Sequence, residues 1–183
     1  DSLLYKKAGA PKEIVCVLSS PWYISETRVV KISKNKSFVF TEKIANDLIN
    51  KEILNLKHIY NNKYTDSENT PQIIERNITS VLIDGYISED PIGKKCKSVE
   101  MNIIVSLVSQ SCMNQIHDTL SKIFHDINVS FSSFTVSTYF AVRDRFVKYN
   151  SYLLIDVNGE VTDIGIVTDG VLKFVLSFPF GRK

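Results

Sequence analysis

Near the C-terminal end, YLLIDVNGEVTDIGIVTDG places Asp156 at the close of an apolar run and Asp163 beyond a short polar turn. Asn158, Gly159, Glu160 and Thr162 occupy or flank that turn. A strand that ends in a carboxylate and reverses tightly can aim backbone N–H groups at phosphate oxygens while the acid faces a Mg²⁺ ion or its waters. The same pattern also serves as a plain hairpin, because Asn-Gly turns commonly join two strands. No second chemistry is legible elsewhere. His58, His117 and His125 are scattered, and Cys16, Cys96 and Cys112 lie far apart with no C-x-x-C pair. That spacing indicates reduced thiols and gives no zinc knuckle, disulfide framework or catalytic triad.

The elements that must position the turn follow from hydrophobic period. The runs EIVCVLS (13–19) and TRVVKIS (27–33) are rich in β-branched residues and predict two strands joined by SPWYISE. Over 41–60, Ile44, Leu48, Ile49, Ile53, Leu56 and Tyr60 recur at three- and four-residue steps, predicting an amphipathic helix capped by Thr41. The polar stretch 61–71 reads as a loop. Residues 73–83 and 97–108 predict a long antiparallel pair, reversed at Pro91 and Gly93. Ser111 is read as the cap of a second helix, 111–126, whose buried stripe would be Ile116, Leu120, Ile123, Phe124 and Ile127. A third helix is expected over 134–148, with Val136, Tyr139, Phe140, Val142 and Val147 apolar. Three strands follow over 152–157, 161–167 and 171–178. Both long helices are expected to cover one face of the 73–83/97–108 pair, giving an α+β chain with mixed sheet fragments.

The composition is that of a chain able to bury a core: 183 residues, 44% hydrophobic and 23% charged. With 22 basic and 20 acidic residues the formal charge is only +2, so nucleic acid is not expected as a partner. Lys94, Lys95 and Lys97 read as solvated surface. No apolar run reaches the roughly 18 residues needed to span a bilayer, so direct membrane insertion is not expected. The opening DSLLYKKAGA resembles the translated scar of a recombination-cloning vector, and residues 1–10 are set aside from the fold as that or as a loose terminus.

The segment LLIDVNGEVTDIGIVTDGVLKFVLSFPFG resembles the second phosphate-binding segment of the actin-like ATPases, most closely the bacterial FtsA and PilM group. Asp156, Gly159, Glu160, Thr162, Asp163, Asp169, Gly170, Pro179 and Gly181 stand at positions that fit the group's pattern, while Asn158 and Val161 depart from it. Upstream, VFTEKIANDLINKEIL, the 79–109 strand pair with its DPIG turn, and CMNQIHDTLSKIF resemble the subdomain inserted in those proteins. SFSSFTVSTYFAVRD resembles the helix that leads back to the main fold.

The resemblance implies a division into 11–33 (sheet remnant of a first actin-like domain), 34–130 (inserted subdomain), 131–150 (returning helix) and 151–183 (start of a second domain). It implies ATP and Mg²⁺ as cofactors of a complete relative, with Asp156 near the metal and Asn158, Gly159, Glu160, Thr162 and Asp163 near the phosphates. Complete relatives are longer and add an N-terminal phosphate loop and an adenosine-binding segment, so this sequence is expected to be a fragment that supplies one wall of that cleft and is not itself an enzyme. The implied role is a cytoplasmic scaffold that self-associates or docks a cell-division or pilus-assembly protein, held at the inner face of the membrane through partners. Interrupted sheets would favour strand-edge pairing. An ATPase in complete form and an unrelated α+β binding domain are the alternative readings.

Overall fold

A computed structural model describes residues 12–63, 70–124, 127–146 and 148–182. Residues 1–10, most of the polar loop expected after the first helix, His125, Asp126 and Val147 lie outside the described residues. The element order is β1 (Glu13–Leu18), β2 (Ile24–Val39), α1 (Glu42–Lys63), β3 (Pro71–Ile83), β4 (Tyr86–Ile87), β5 (Lys95–Ser109), α2 (Gln110–Ser121), β6 (Asn128–Ser133), α3 (Phe134–Arg145), β7 (Tyr152–Val157), β8 (Thr162–Thr168) and β9 (Val171–Phe178). These strands form three sheets: β1 parallel to β6, an antiparallel four-stranded sheet ordered β2-β5-β3-β4, and an antiparallel meander β7-β8-β9.

The organising element is β5. Every residue from Ile103 to Val108 is buried, where a strand with one wet face would alternate. Val99, Met101, Ile103, Val105 and Leu107 share one core with Val30, Val81 and the α1 residues Ala45, Ile49, Leu56 and Tyr60. Ile104, which leaves the opposite face, packs with Val136 and Tyr139 of α3 and with Val167 and Leu172 of β8 and β9. Val108, on that same second face, meets Leu18, Tyr23 and Cys112 of α2. The expectation that both long helices cover one face is therefore corrected. α1 lies on one side of β5 and α2 on the other, because β5 is apolar on both of its faces.

The helix boundaries differ in physical detail. Thr41 Oγ1 accepts from Ile44 N at 3.3 Å, as a cap should, and α1 runs on to Lys63. For α2 the cap is Ser109, whose Oγ accepts from Cys112 N at 3.2 Å, two residues earlier than Ser111. The helix ends at Ser121, and Ile123, expected in the buried stripe, is 66% exposed. Because α2 itself stops at Ser121, the three- and four-residue steps no longer align Ile123 with its stripe.

The two N-terminal strands do not form one sheet fragment. The turn at residues 19–22, closed by Trp22 N donating to Ser19 O at 3.1 Å, sends β1 to β6 and β2 to β5. β2 continues to Val39, across the 33/34 division drawn from sequence. β2 is an outer strand of its sheet; it carries Lys34 and Lys36, while Lys31 pairs with Glu100 of β5 at 2.7 Å. The 73–83 strand reverses at Asp84 and Gly85, both at positive φ (48° and 88°), ahead of the Pro91 and Gly93 loop. Asp169 and Gly170 repeat that geometry between β8 and β9, as a two-residue hairpin requires.

Candidate functional site

In the β7–β8 hairpin Asp156 is directly opposite Asp163 and Val157 opposite Thr162, so both carboxylates leave the same face of the sheet. Like charges so placed repel unless each has its own partners. The structure separates them by partner. Asp163, 1% exposed, accepts from Ser20 Oγ at 2.5 Å and Tyr23 OH at 3.2 Å on Oδ2, and from Ser177 Oγ at 2.6 Å on Oδ1. Asp156 is half-buried and accepts from Asn158 Nδ2 at 2.9 Å. The two acids line a cleft of about 140 Å³ together with Phe134, Thr135 and Thr138 from the start of α3.

The turn itself is closed by Asn158 N donating to Val161 O at 2.9 Å. The chain's last described residues fold back over it: Arg182 N donates to Asn158 O at 2.9 Å and Thr162 Oγ1 to Phe180 O at 2.6 Å. Gly181 lies so close that a Cβ there would sit 2.2 Å from Gly159 O, which is why this position takes glycine. Of the six residues nominated for phosphate chemistry, Asp156, Asn158, Gly159 and Glu160 stay at the hairpin's tip. The hydroxyl of Thr162 is committed to Phe180, and the carboxylate of Asp163 to the buried hydroxyls of Ser20 and Tyr23 and to that of the exposed Ser177. Among the described residues no three His, Cys, Asp or Glu side chains converge as a metal-binding group. A cation at Asp156 would therefore take most of its ligands from water or from a phosphate.

Burial raises the Tyr23 phenol to about 12 from 10.0, with the neighbouring Asp163 charge adding to the rise and hydrogen bonding to Thr135 opposing it. A phenol bound more tightly to its proton in the folded state stabilises the fold fully below about pH 10. That contribution is lost as pH rises through about 12. The linkage amounts to about 2–3 kcal/mol across this interval. Urea unfolding at pH 8 and pH 11 should show a loss of stability in the wild-type chain that is smaller in Tyr23→Phe.

A second carboxylate is held in the same manner. Glu75 of β3 accepts from Ser106 Oγ at 2.7 Å, Ser132 Oγ at 2.8 Å and Ser133 N at 3.1 Å, and also from Ser133 Oγ. Ser133 is the cap position of α3 but makes no side-chain cap bond of its own. Glu75 and Tyr23, whose OH accepts from Thr135 N at 3.4 Å, serve the amides at that helix start from other elements.

One concave surface was not anticipated from sequence. A groove of about 270 Å³ opens between the 19–22 turn and the end of the four-stranded sheet, lined by Pro21, Trp22, Ile24, Tyr60, Pro71 and Leu107. Trp22 and Ile24 are 62% and 41% exposed, while Tyr60 is buried and donates its hydroxyl to Glu26. The only available signal was the chain's single tryptophan placed in a turn, a costly position for a large apolar side chain unless it meets something.

No protein-family profile matches the sequence, and no curated protein matches it. Solved structures do match. Among the described residues the arrangement is mixed α/β with three helices, and one solved structure shares this fold. The PilM–PilN type IV pilus biogenesis complex superposes with a TM-score of 0.58 at 11% identity, over 93% of this chain and 43% of the other. This chain thus spans less than half the length of that neighbour. A Bacteroides thetaiotaomicron protein with an actin-like ATPase fold and unknown function aligns over 98% of this chain and 54% of its own, at 12% identity and a TM-score of 0.46. No helix among the described residues is long and apolar enough to cross a membrane.

Proposed function

We propose that this chain is a docking module of an actin-fold assembly protein, working as a scaffold for a pilus-assembly partner or for a second copy. The observation that carries the reading is the apolar groove with Trp22 and Ile24 exposed at its rim, on a fold shared with one member of a PilM–PilN complex. Exposed aromatic side chains beside a concave apolar surface are the usual anchors of protein contacts. The place of action is the cytoplasmic side of a membrane, reached through partners. A division-type role, as in FtsA, would use the same scaffold with another partner. Trp22→Asp should weaken association with a purified PilN-type protein, or self-association in sedimentation, at least about tenfold. An unchanged dissociation constant in a folded variant would refute the groove as the docking site.

The cleft supports a second, narrower reading. Asp156 at the strand end, with Asn158, Gly159 and Glu160 at the turn, fits the phosphate-facing wall of a nucleotide site, where Mg²⁺ would supply charge neutralisation of the phosphates. One wall does not make a site that positions phosphates and excludes water. We therefore propose that this chain by itself neither binds ATP tightly nor hydrolyses it. Calorimetric titration with Mg²⁺ and ATP tests this: a dissociation constant in the low micromolar range, about −8 kcal/mol, would overturn it. Asp156→Ala should leave thermal stability nearly unchanged, since the side chain lines the cleft and its hydrogen bond is to its neighbour Asn158.

A further inference from the structure

The groove owes one wall to the turn at residues 19–22, and burial does not hold that wall in place. Trp22 is 62% exposed and Pro21 is also exposed, and the turn is closed within itself by the bond from Trp22 N to Ser19 O. The residues on either side are fixed from outside. Ser20 and Tyr23, 8% and 5% exposed, both donate to one oxygen, Oδ2 of Asp163, at 2.5 and 3.2 Å. The other oxygen of that carboxylate is held by Ser177 of β9, and Tyr23 OH also shares a hydrogen bond with Thr135 Oγ1 at 2.7 Å. Asp163 thus grips the chain immediately before and immediately after the two residues that form the groove wall.

We propose that Asp163 is a positioning residue for the docking groove, setting the presentation of Pro21 and Trp22 through Ser20 and Tyr23. Its importance for binding rests on the docking reading above, whereas the grip itself is independent of any partner. The arrangement also places the groove and the Asp156 cleft back to back on one carboxylate, since Asp163 lines the cleft from its far side. A charged hydrogen bond is strong and directional, which suits a single buried carboxylate to fixing two points of a turn. The sequence pattern had placed Asp163 among phosphate-facing residues, and its neighbours give it this other task.

Trp22 is the chain's only tryptophan, so its fluorescence reports on the wall alone. Time-resolved anisotropy of the full 183-residue chain is the measurement. In Ser20→Ala/Tyr23→Phe, and in Asp163→Asn, the amplitude of the fast local component should rise roughly twofold as the turn loosens. Ser177→Ala, which removes a donor from the oxygen that does not face the turn, should lower the melting temperature yet leave that amplitude at the wild-type value. If Asp163→Asn does not fold, the single variants Ser20→Ala and Tyr23→Phe, which keep the carboxylate and its Ser177 bond, carry the comparison. Unchanged anisotropy in the folded double variant, or an equal rise in Ser177→Ala, overturns the proposal. If anisotropy rises as expected while Trp22→Asp leaves association intact, the docking reading fails and the positioning role stands. If Trp22→Asp abolishes association while the Ser20 and Tyr23 variants match wild type in both assays, the reverse holds.

Discussion

Leu56→Ala should lower the unfolding free energy by about 2–5 kcal/mol, the range for truncating a fully buried leucine whose surroundings cannot collapse into the void. Leu56 is 0% exposed on α1 and packs among Val30, Ala45, Ile49, Met101 and Val105. Those neighbours come from β2, β5 and α1, and the strands are locked in an antiparallel register that a side-chain-sized gap cannot shift. Leu120→Ala provides the internal contrast. Leu120 lies one residue from the end of α2 and is only half-buried, so the expected cost is about 1 kcal/mol. Urea unfolding of both variants decides the matter. Equal costs would mean that Leu120 is packed as fully as Leu56, contrary to its half-burial near the end of α2.

The second large effect is expected at Asp163. Truncation to alanine leaves the hydroxyls of Ser20 and Tyr23 buried without this acceptor, hands that of the exposed Ser177 to water, and removes bonds strengthened by a charge. A loss of about 2–4 kcal/mol follows, less than the sum of three separate bonds because Tyr23 keeps its contact with Thr135. Asp163→Asn preserves size and one acceptor and should cost about half as much. Asp156→Ala, one strand away on the same sheet face, should be nearly neutral. A large loss at Asp156 with a small one at Asp163 would invert the roles given to the two acids. Denaturation midpoints of the three variants at one pH are sufficient.

How far the sequence reveals this arrangement depends on the range of the interaction. β5, α1, the start of α3 and the β7–β8–β9 meander were legible because their signals are local: β-branched runs, a three- and four-residue apolar step, and an Asp-Gly turn at 169–170 that demands positive φ, whereas the reversal at Asp84 and Gly85 was read later, at Pro91 and Gly93. The opposite placement of α1 and α2 was not, since period alone gives a helix a buried face without saying which sheet face receives it. The parallel pairing of β1 with β6 joins Glu13 to Asn128, and no local pattern encodes a partner that distant. β6 itself, NVSFSS, is too polar to read as a strand until Glu75 is seen to engage Ser132 and Ser133.

At the candidate site the same division holds. Asp156 and the hairpin tip could be picked out from residue type and spacing. The commitment of Asp163 to Ser20, Tyr23 and Ser177 could not, because two of those three partners lie at the far end of the chain. The groove escaped notice for a related reason. Pro21, Tyr60 and Leu107 are brought together only by the fold, and singly each reads as an ordinary turn, helix or strand residue.

The bond from Ser20 to Asp163 spans 143 positions, and this separation has a temporal meaning. On a ribosome adding about 5–20 residues per second, the N-terminal turn emerges roughly 7–30 s before the carboxylate that will hold it. During that interval β2, α1, β3 and β5 can assemble, since their pairings lie within the stretch already made. Ser20 and Tyr23 meanwhile remain without Asp163, and Trp22 stands beside them on an unfixed turn. A nascent chain at this stage presents its one tryptophan before the turn that carries it is set, which makes the interval before β8 appears the period in which a chaperone or a premature partner would find it most accessible.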